Sequence, residues 1–201
     1  MNQSVLKTGR RAALALLAMF ALAACSEPAP QSNTEEPSVV APVSETERLN
    51  AWLDEQYAEQ LESSPMTKTR LGDKSDYDEL DDYSVAAEQA DLEWLRSSVA
   101  EMETTFDVDA LNEDGKLSYA MWKFSLERAE AGVPFRQHGY IFGRGGPHAY
   151  LPNFLINFHR VDTVADLEAY AARLGEIDRI FDQLLERSRA ASAAGIRQPR
   201  F

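Results

Sequence analysis

The chain of 201 residues contains a single cysteine, Cys25. It can form no intramolecular disulfide and no cysteine-built metal site, so the folded part must stand on its hydrophobic core. It also lacks an apolar run of the ~20 residues that a bilayer-spanning helix requires; the run Ala12–Ala24 has 13. No histidine is followed by glutamate, and no serine or cysteine sits in a recognisable nucleophile elbow. No run of alternating β-branched residues is long enough for a strand, and the expected class is all-α. Base is in short supply: 20 Lys and Arg face 33 Asp and Glu, a net charge of −13. Such a chain repels nucleic acid and anionic lipid headgroups, which excludes a nucleic-acid partner.

What is present begins with an export pattern. Lys7, Arg10 and Arg11 precede the 13-residue apolar run, and no acid precedes Cys25. This is a cationic leader followed by a run of signal-peptide length. The run closes on Leu22-Ala23-Ala24-Cys25. Small residues suit a signal-peptidase cleft, and the cysteine after them supplies a thiol that can be acylated. The four residues resemble the bacterial lipobox, against the simpler reading of a secretory signal with a chance cysteine. The resemblance implies that Cys25 receives a diacylglycerol and an N-acyl chain, enough lipid for stable attachment where one chain is marginal. The expected partner is thus membrane lipid through acylated Cys25. Ser26, where an aspartate would signal retention at the inner membrane, implies the outer membrane and its periplasmic face.

The expected organisation is a signal peptide over 1–24, lipidated Cys25 with a disordered tether over 25–44, and a helical domain over 45–201. Residues 26–44 hold four prolines and almost no large apolar side chain, a composition that stays extended and solvated. Helical periodicity starts at residue 45, with a stripe through Leu49, Trp52, Leu53, Tyr57 and Leu61. Residues 64–83 read as an irregular connection broken by Pro65 and Gly72. Ser84 suits an N-cap, followed by Leu92, Leu95, Val99, Met102 and Phe106. A turn at Asn112–Gly115 precedes a third helix carrying Leu117, Met121, Trp122, Phe124 and Leu126 and ending near Gly132-Val133-Pro134. Residues 135–152, with four glycines and two prolines, read as a loop, and Leu151–Phe158 as a short helix. Thr163 and Asp166 suit a capping box. After it, Val164, Leu167, Tyr170, Leu174, Ile177, Phe181, Leu184 and Ser188 keep one face until Gly195 and Pro199 end the helix.

Candidate chemistry inside this domain is thin. His138, His148 and His159 lie 10 and 11 apart with no acid beside them, unlike the three- or four-residue spacing of a helical zinc site; they read as structural. Asn112-Glu113-Asp114-Gly115 is not a calcium loop, because the first and twelfth ligand positions would be Ala110 and Met121. Asp76, Asp78, Glu79, Asp81 and Asp82 read as a solvated acidic loop, with weak binding of a divalent cation as the alternative. Gly143-Arg144-Gly145-Gly146-Pro147 follows no strand and precedes no Lys-Ser/Thr pair, so it is a sharp turn and not a phosphate loop. The expected catalytic, cofactor-binding and metal residues are therefore none, and lipidation at Cys25 is the one assigned site.

Read in order, several segments are similar to one family. They are Leu49–Tyr57 (LNAWLDEQY), Ser64–Thr67 with Leu71-Gly72, Tyr77–Glu79 with Asp82–Ser84, Leu126–Gly132 (LERAEAG), Gly146–His148 through Phe158–Arg160, and Gly195–Phe201 (GIRQPRF). Together they resemble the N-terminal part of the domain-of-unknown-function family DUF885, over about residues 46–201. The resemblance implies a larger, gluzincin-like helical fold, often lipid-anchored and similar to zinc metallopeptidases, with peptide substrates. The family's histidine-glutamate zinc signature lies in the C-terminal half of longer members. It has no counterpart here, so zinc is implied for the full-length family and for no residue of this chain. The expectation is an incomplete domain, with Arg197–Phe201 leading to further chain, that walls a substrate channel and is inactive alone. The alternative is a non-enzymatic helical lipoprotein acting as a binding or assembly module.

Overall fold

The computed structural model describes residues 42–143 and 145–197. Cys25, the signal and most of the tether lie outside them. Ser44 sets the first helix: its hydroxyl accepts from the Glu47 N–H, and the Glu47 carboxylate accepts from the Ser44 N–H at 2.7 Å. Two donors that a helix start leaves orphaned are thereby satisfied. The helices are α1 (Glu45–Glu62), α2 (Pro65–Leu71), α3 (Val85–Thr105), α4 (Glu113–Gly132), α5 (Pro147–Asn157) and α6 (Val164–Ala193), with 3-10 turns over Val108–Ala110 and Val133–His138. No strand occurs among the described residues, and the fold is all-α.

The caps explain the boundaries. Ser84 accepts from the Ala87 N–H, Asn112 from Gly115, and Thr163 from Asp166, whose carboxylate accepts in return from the Thr163 N–H at 2.9 Å. Each was legible as a polar residue just before an apolar period. The segment expected to be irregular instead contains α2. Pro65 occupies its first turn, where a missing N–H costs nothing, and Gly72 ends it in the left-handed region at φ 89°. The two residues taken for breakers are the start and stop of a seven-residue helix. Helix α5 also begins earlier than expected, at Pro147, and tolerates Pro152 within its first turns.

Two cores form. Met66, Leu80, Leu151, Phe154, Leu155, Ile180 and Leu184 tie α2, the following loop, α5 and α6 together. Leu49, Trp52, Met102, Phe106, Leu111 and Tyr119 join α1, α3 and α4. In the second, Trp52 meets Phe106 and Trp122 edge-on at 5.8 and 6.2 Å, and Trp94 meets Trp122 at 6.0 Å, the geometry preferred by aromatic quadrupoles. Gly115 lets α4 approach α1, since a Cβ there would lie 2.8 Å from the Thr46 hydroxyl.

Two expected stripes are displaced. On α4, Tyr119, Trp122 and Leu126 turn inward, while Leu117, Met121 and Phe124, spaced four and three apart, are 61, 61 and 60% exposed. On α6 the buried row runs Asp166, Tyr170, Arg173, Ile177, Ile180 and Leu184, leaving Val164, Leu167 and Leu174 in solvent. An apolar count selected Leu174; the fold buries its neighbour, an arginine.

Candidate functional site

Residues 73–83 cross from α2 to α3 as an acidic strap. It is gripped by its carbonyls more than by its carboxylates. From α6, Arg173 donates to the Glu79 carbonyl at 2.8 Å, Arg179 to Leu80 at 3.3 Å and Arg187 to Tyr83 at 3.1 Å. Gln183 accepts from the Tyr83 N–H and donates to Asp82. The strap returns the favour to α2: Asp81 accepts from the Met66 N–H at 2.9 Å, supplying from a distance the cap that Ser64 does not provide. Burial raises the Asp81 carboxyl above its ordinary range. Lys68, almost fully buried, reaches Asp76 at 2.6 Å and Glu62 at 2.7 Å. The acidic run is therefore not simply a solvated loop: Tyr77 and Leu80 are buried within it, and Asp76 and Asp81 are partnered.

Arg173 is the centre of this arrangement, with no exposed surface. Besides Glu79 it donates to the Thr69 hydroxyl at 2.6 Å, to the Asp76 carbonyl at 3.3 Å and to His159 Nδ1 at 2.9 Å. Its guanidinium lies over the rings of Tyr77 (4.9 Å) and Phe154 (5.2 Å). No carboxylate is paired with it among the described residues; neutral acceptors and π faces carry the charge.

His159 is locked by this neighbour. A guanidinium can only donate, so Nδ1 must present its lone pair, and Nε2 carries the proton that goes to the Asp166 carbonyl at 2.9 Å. Tyr77 stacks on the imidazole at 4.1 Å, and its hydroxyl donates to the Arg160 carbonyl and accepts from the Arg160 N–H. Burial first, and the Arg173 charge as well, push the imidazole below its ordinary pKa. Asp166, bound to Lys74 at 2.9 Å and to two backbone N–H groups, is lowered to about 2.

The sign of the pH effect follows. A histidine held neutral in the fold takes up a proton more readily when unfolded, so stability is full above about pH 6.5 and falls as the pH drops below it. Urea unfolding is expected to show a lower midpoint at pH 5.5 than at pH 7.5, with much of the fall removed by His159→Gln. An equal fall in that variant would show that other groups carry it. A second loss, from Asp166, is confined to pH values below about 4.

A cleft of about 760 Å³ lies elsewhere, between α1, α3, α4 and the 3-10 turn after α4. Its rim carries Glu59, Glu62, Glu88 and Asp91, with Arg136 as the one cation. Its floor is apolar, with Ala90, Leu92, Trp94, Leu95, Ala129 and Val133. A cleft of this size, mostly apolar with a few charged groups, has the make-up of a binding site.

The residues singled out from sequence do not converge. His138 and His148 are exposed, and His159 is buried with both ring nitrogens engaged. Asn112 and Gly115 form the start of α4, and Gly146 turns the chain into α5, where a Cβ would collide with the Ile141 carbonyl. Among the described residues no group of three or more histidine, cysteine or acidic side chains is arranged to hold a metal ion, and a histidine already bonded at both nitrogens does not fit zinc. The sequence reading missed Arg173, Thr69 and the cleft. The available clue was charge: five acids in seven residues imply cations facing them, and α6 supplies arginines at 173, 179 and 187.

Among family models, that of the family described as "Bacterial protein of unknown function (DUF885)" matches residues 65–201. No curated protein and no solved structure matches the chain.

Proposed function

The chain belongs to the DUF885 family, and from that premise we propose that it is the N-terminal helical part of a membrane-anchored periplasmic lipoprotein resembling zinc metallopeptidases. In this reading lipid on Cys25 holds the protein at the outer membrane, residues 45–201 wall one side of a peptide channel, and the zinc ligands belong to other parts of the protein. The observation that carries it is the outward apolar row on α4. Leu117, Met121 and Phe124 share one face at three-fifths exposure, and α6 presents Val164, Leu167 and Leu174 in the same way. Contiguous exposed apolar rows mark surfaces made to be covered. The cationic leader, the 13-residue apolar run and Leu22–Cys25 support the anchor.

Two measurements test it. Radiolabelled palmitate should enter the chain expressed in a Gram-negative host and should not enter Cys25→Ala; label in the variant would sink the anchor. The purified 201-residue chain should hold no stoichiometric zinc and cleave no peptide, and stoichiometric metal with hydrolysis would place the chemistry here after all. The second reading, a helical lipoprotein acting as a binding module, is favoured by the cleft, which this chain lines by itself.

A further inference from the structure

The cleft between α1, α3 and α4 has a charge pattern that selects its occupant. Glu62 is engaged by Lys68, and Glu88 by Arg187 at 2.7 Å and Arg136 at 3.4 Å. Glu59 and Asp91 have no ion-pair partner among the described residues. Asp91 and Trp94 are one turn apart on α3 and face the same cleft. Trp52 and Trp122 donate their indole N–H groups to Glu101 and Ser98, whereas Trp94 has no acceptor among the described residues. Burial, followed by the charges of Asp82 and Glu88, raises the Asp91 carboxyl; with Glu62 and Glu88 paired, Glu59 and Asp91 are the carboxylates of the cleft left to meet a cation.

We propose that this cleft is a docking site for a basic peptide segment, which seats a lysine or arginine side chain against Trp94, Asp91 and Glu59 and lays a neighbouring apolar side chain on the Leu92–Leu95 floor. Each requirement rests on complementarity. An anion would meet the unpaired carboxylates of Glu59 and Asp91, while Arg136 is already engaged by Glu88. A cation over an indole is attracted by its π face, more strongly where water is excluded. A bare metal ion or a polyamine would satisfy the rim and leave the apolar floor wet, and only a segment that alternates cation and hydrocarbon covers both. The proposal does not depend on the channel-wall reading, since the cleft is lined within residues 59–136.

The test uses the 201-residue chain in detergent and an acetylated, amidated Leu-Arg-Leu-Arg peptide, followed by calorimetry and tryptophan fluorescence. Saturable binding that weakens with added salt is expected. The double variant Glu59→Gln, Asp91→Asn should bind about tenfold more weakly, while Asp54→Asn, Glu55→Gln, which neutralises exposed acids of α1 that do not line the cleft, should bind as the parent does. Trp94→Phe should abolish most of the fluorescence response. The native chain supplies the control against misfolding: the same peptide with citrulline for arginine should bind at least about tenfold more weakly. Equal binding of the citrulline peptide, equal weakening in the Asp54/Glu55 control, spermidine binding as tightly as the peptide, or no saturation by about 1 mM would each overturn the proposal.

Discussion

Replacing Arg173 with methionine is expected to lower folding stability by about 3 kcal/mol or more, the largest effect of any single charged side chain in this protein. Methionine nearly matches the arginine stem in length, so packing alone is a minor loss. The cost lies in the acceptors left behind. The Thr69 hydroxyl and His159 Nδ1, both buried, and the part-buried Glu79 and Asp76 carbonyls all lose a charged donor. Each buried acceptor so abandoned costs roughly 1–3 kcal/mol. Against this stands a gain: a guanidinium without a carboxylate partner is expensive to bury, and removing it recovers several kcal/mol. Four lost charge-assisted bonds outweigh one recovered desolvation term. Arg173→Lys should be nearly as damaging, because an ammonium cannot present the planar fork that reaches Nδ1, Thr69 and two carbonyls at once. Denaturant unfolding measures both; a loss under 1 kcal/mol for Arg173→Met would show that the strap is held mainly by Arg179, Arg187 and the apolar contacts of Leu80.

The second large effect is expected at Trp52, in the other core. Trp52→Ala should cost about 3–5 kcal/mol. It opens a cavity where the indole meets Phe106 and Trp122, and it removes the 3.3 Å bond to Glu101. The two losses should add to within about 0.5 kcal/mol, because Trp52 belongs to one cluster and Arg173 packs on Phe154 of the other, with no shared partner. A double mutant markedly more or less stable than the sum would mean that the cores are coupled through α1 and α2. Hydrogen exchange adds a spatial readout: Trp52→Ala should deprotect α1, α3 and α4 before α6.

Helix starts were legible because capping is local. Ser44, Ser84, Asn112 and Thr163 each bond within three residues of themselves, so the information lies in four consecutive positions. Helix α3 was legible because Leu92, Leu95, Val99, Met102 and Phe106 keep an unbroken spacing of three and four, with Val99, Met102 and Phe106 buried. Helix α2 was not, since seven residues give too few turns for periodicity to appear, and its cap comes from Asp81, fifteen residues away.

What the sequence determined by itself about this protein is its helical class, the starts of α1, α3, α4 and α6, its acidic character and the family pattern over residues 65–201, all properties that neighbouring residues or simple counts carry. Only the tertiary structure decided which faces are buried. Rules of periodicity rank a position by its hydrophobicity, and they pass over Arg173 in favour of Leu174. Burying an arginine requires Thr69, two strap carbonyls and His159 to arrive at one point from three segments up to 104 residues apart. The cleft at Trp94 has the same origin: α1, α3 and α4 each contribute a wall, and no stretch of the chain contains it.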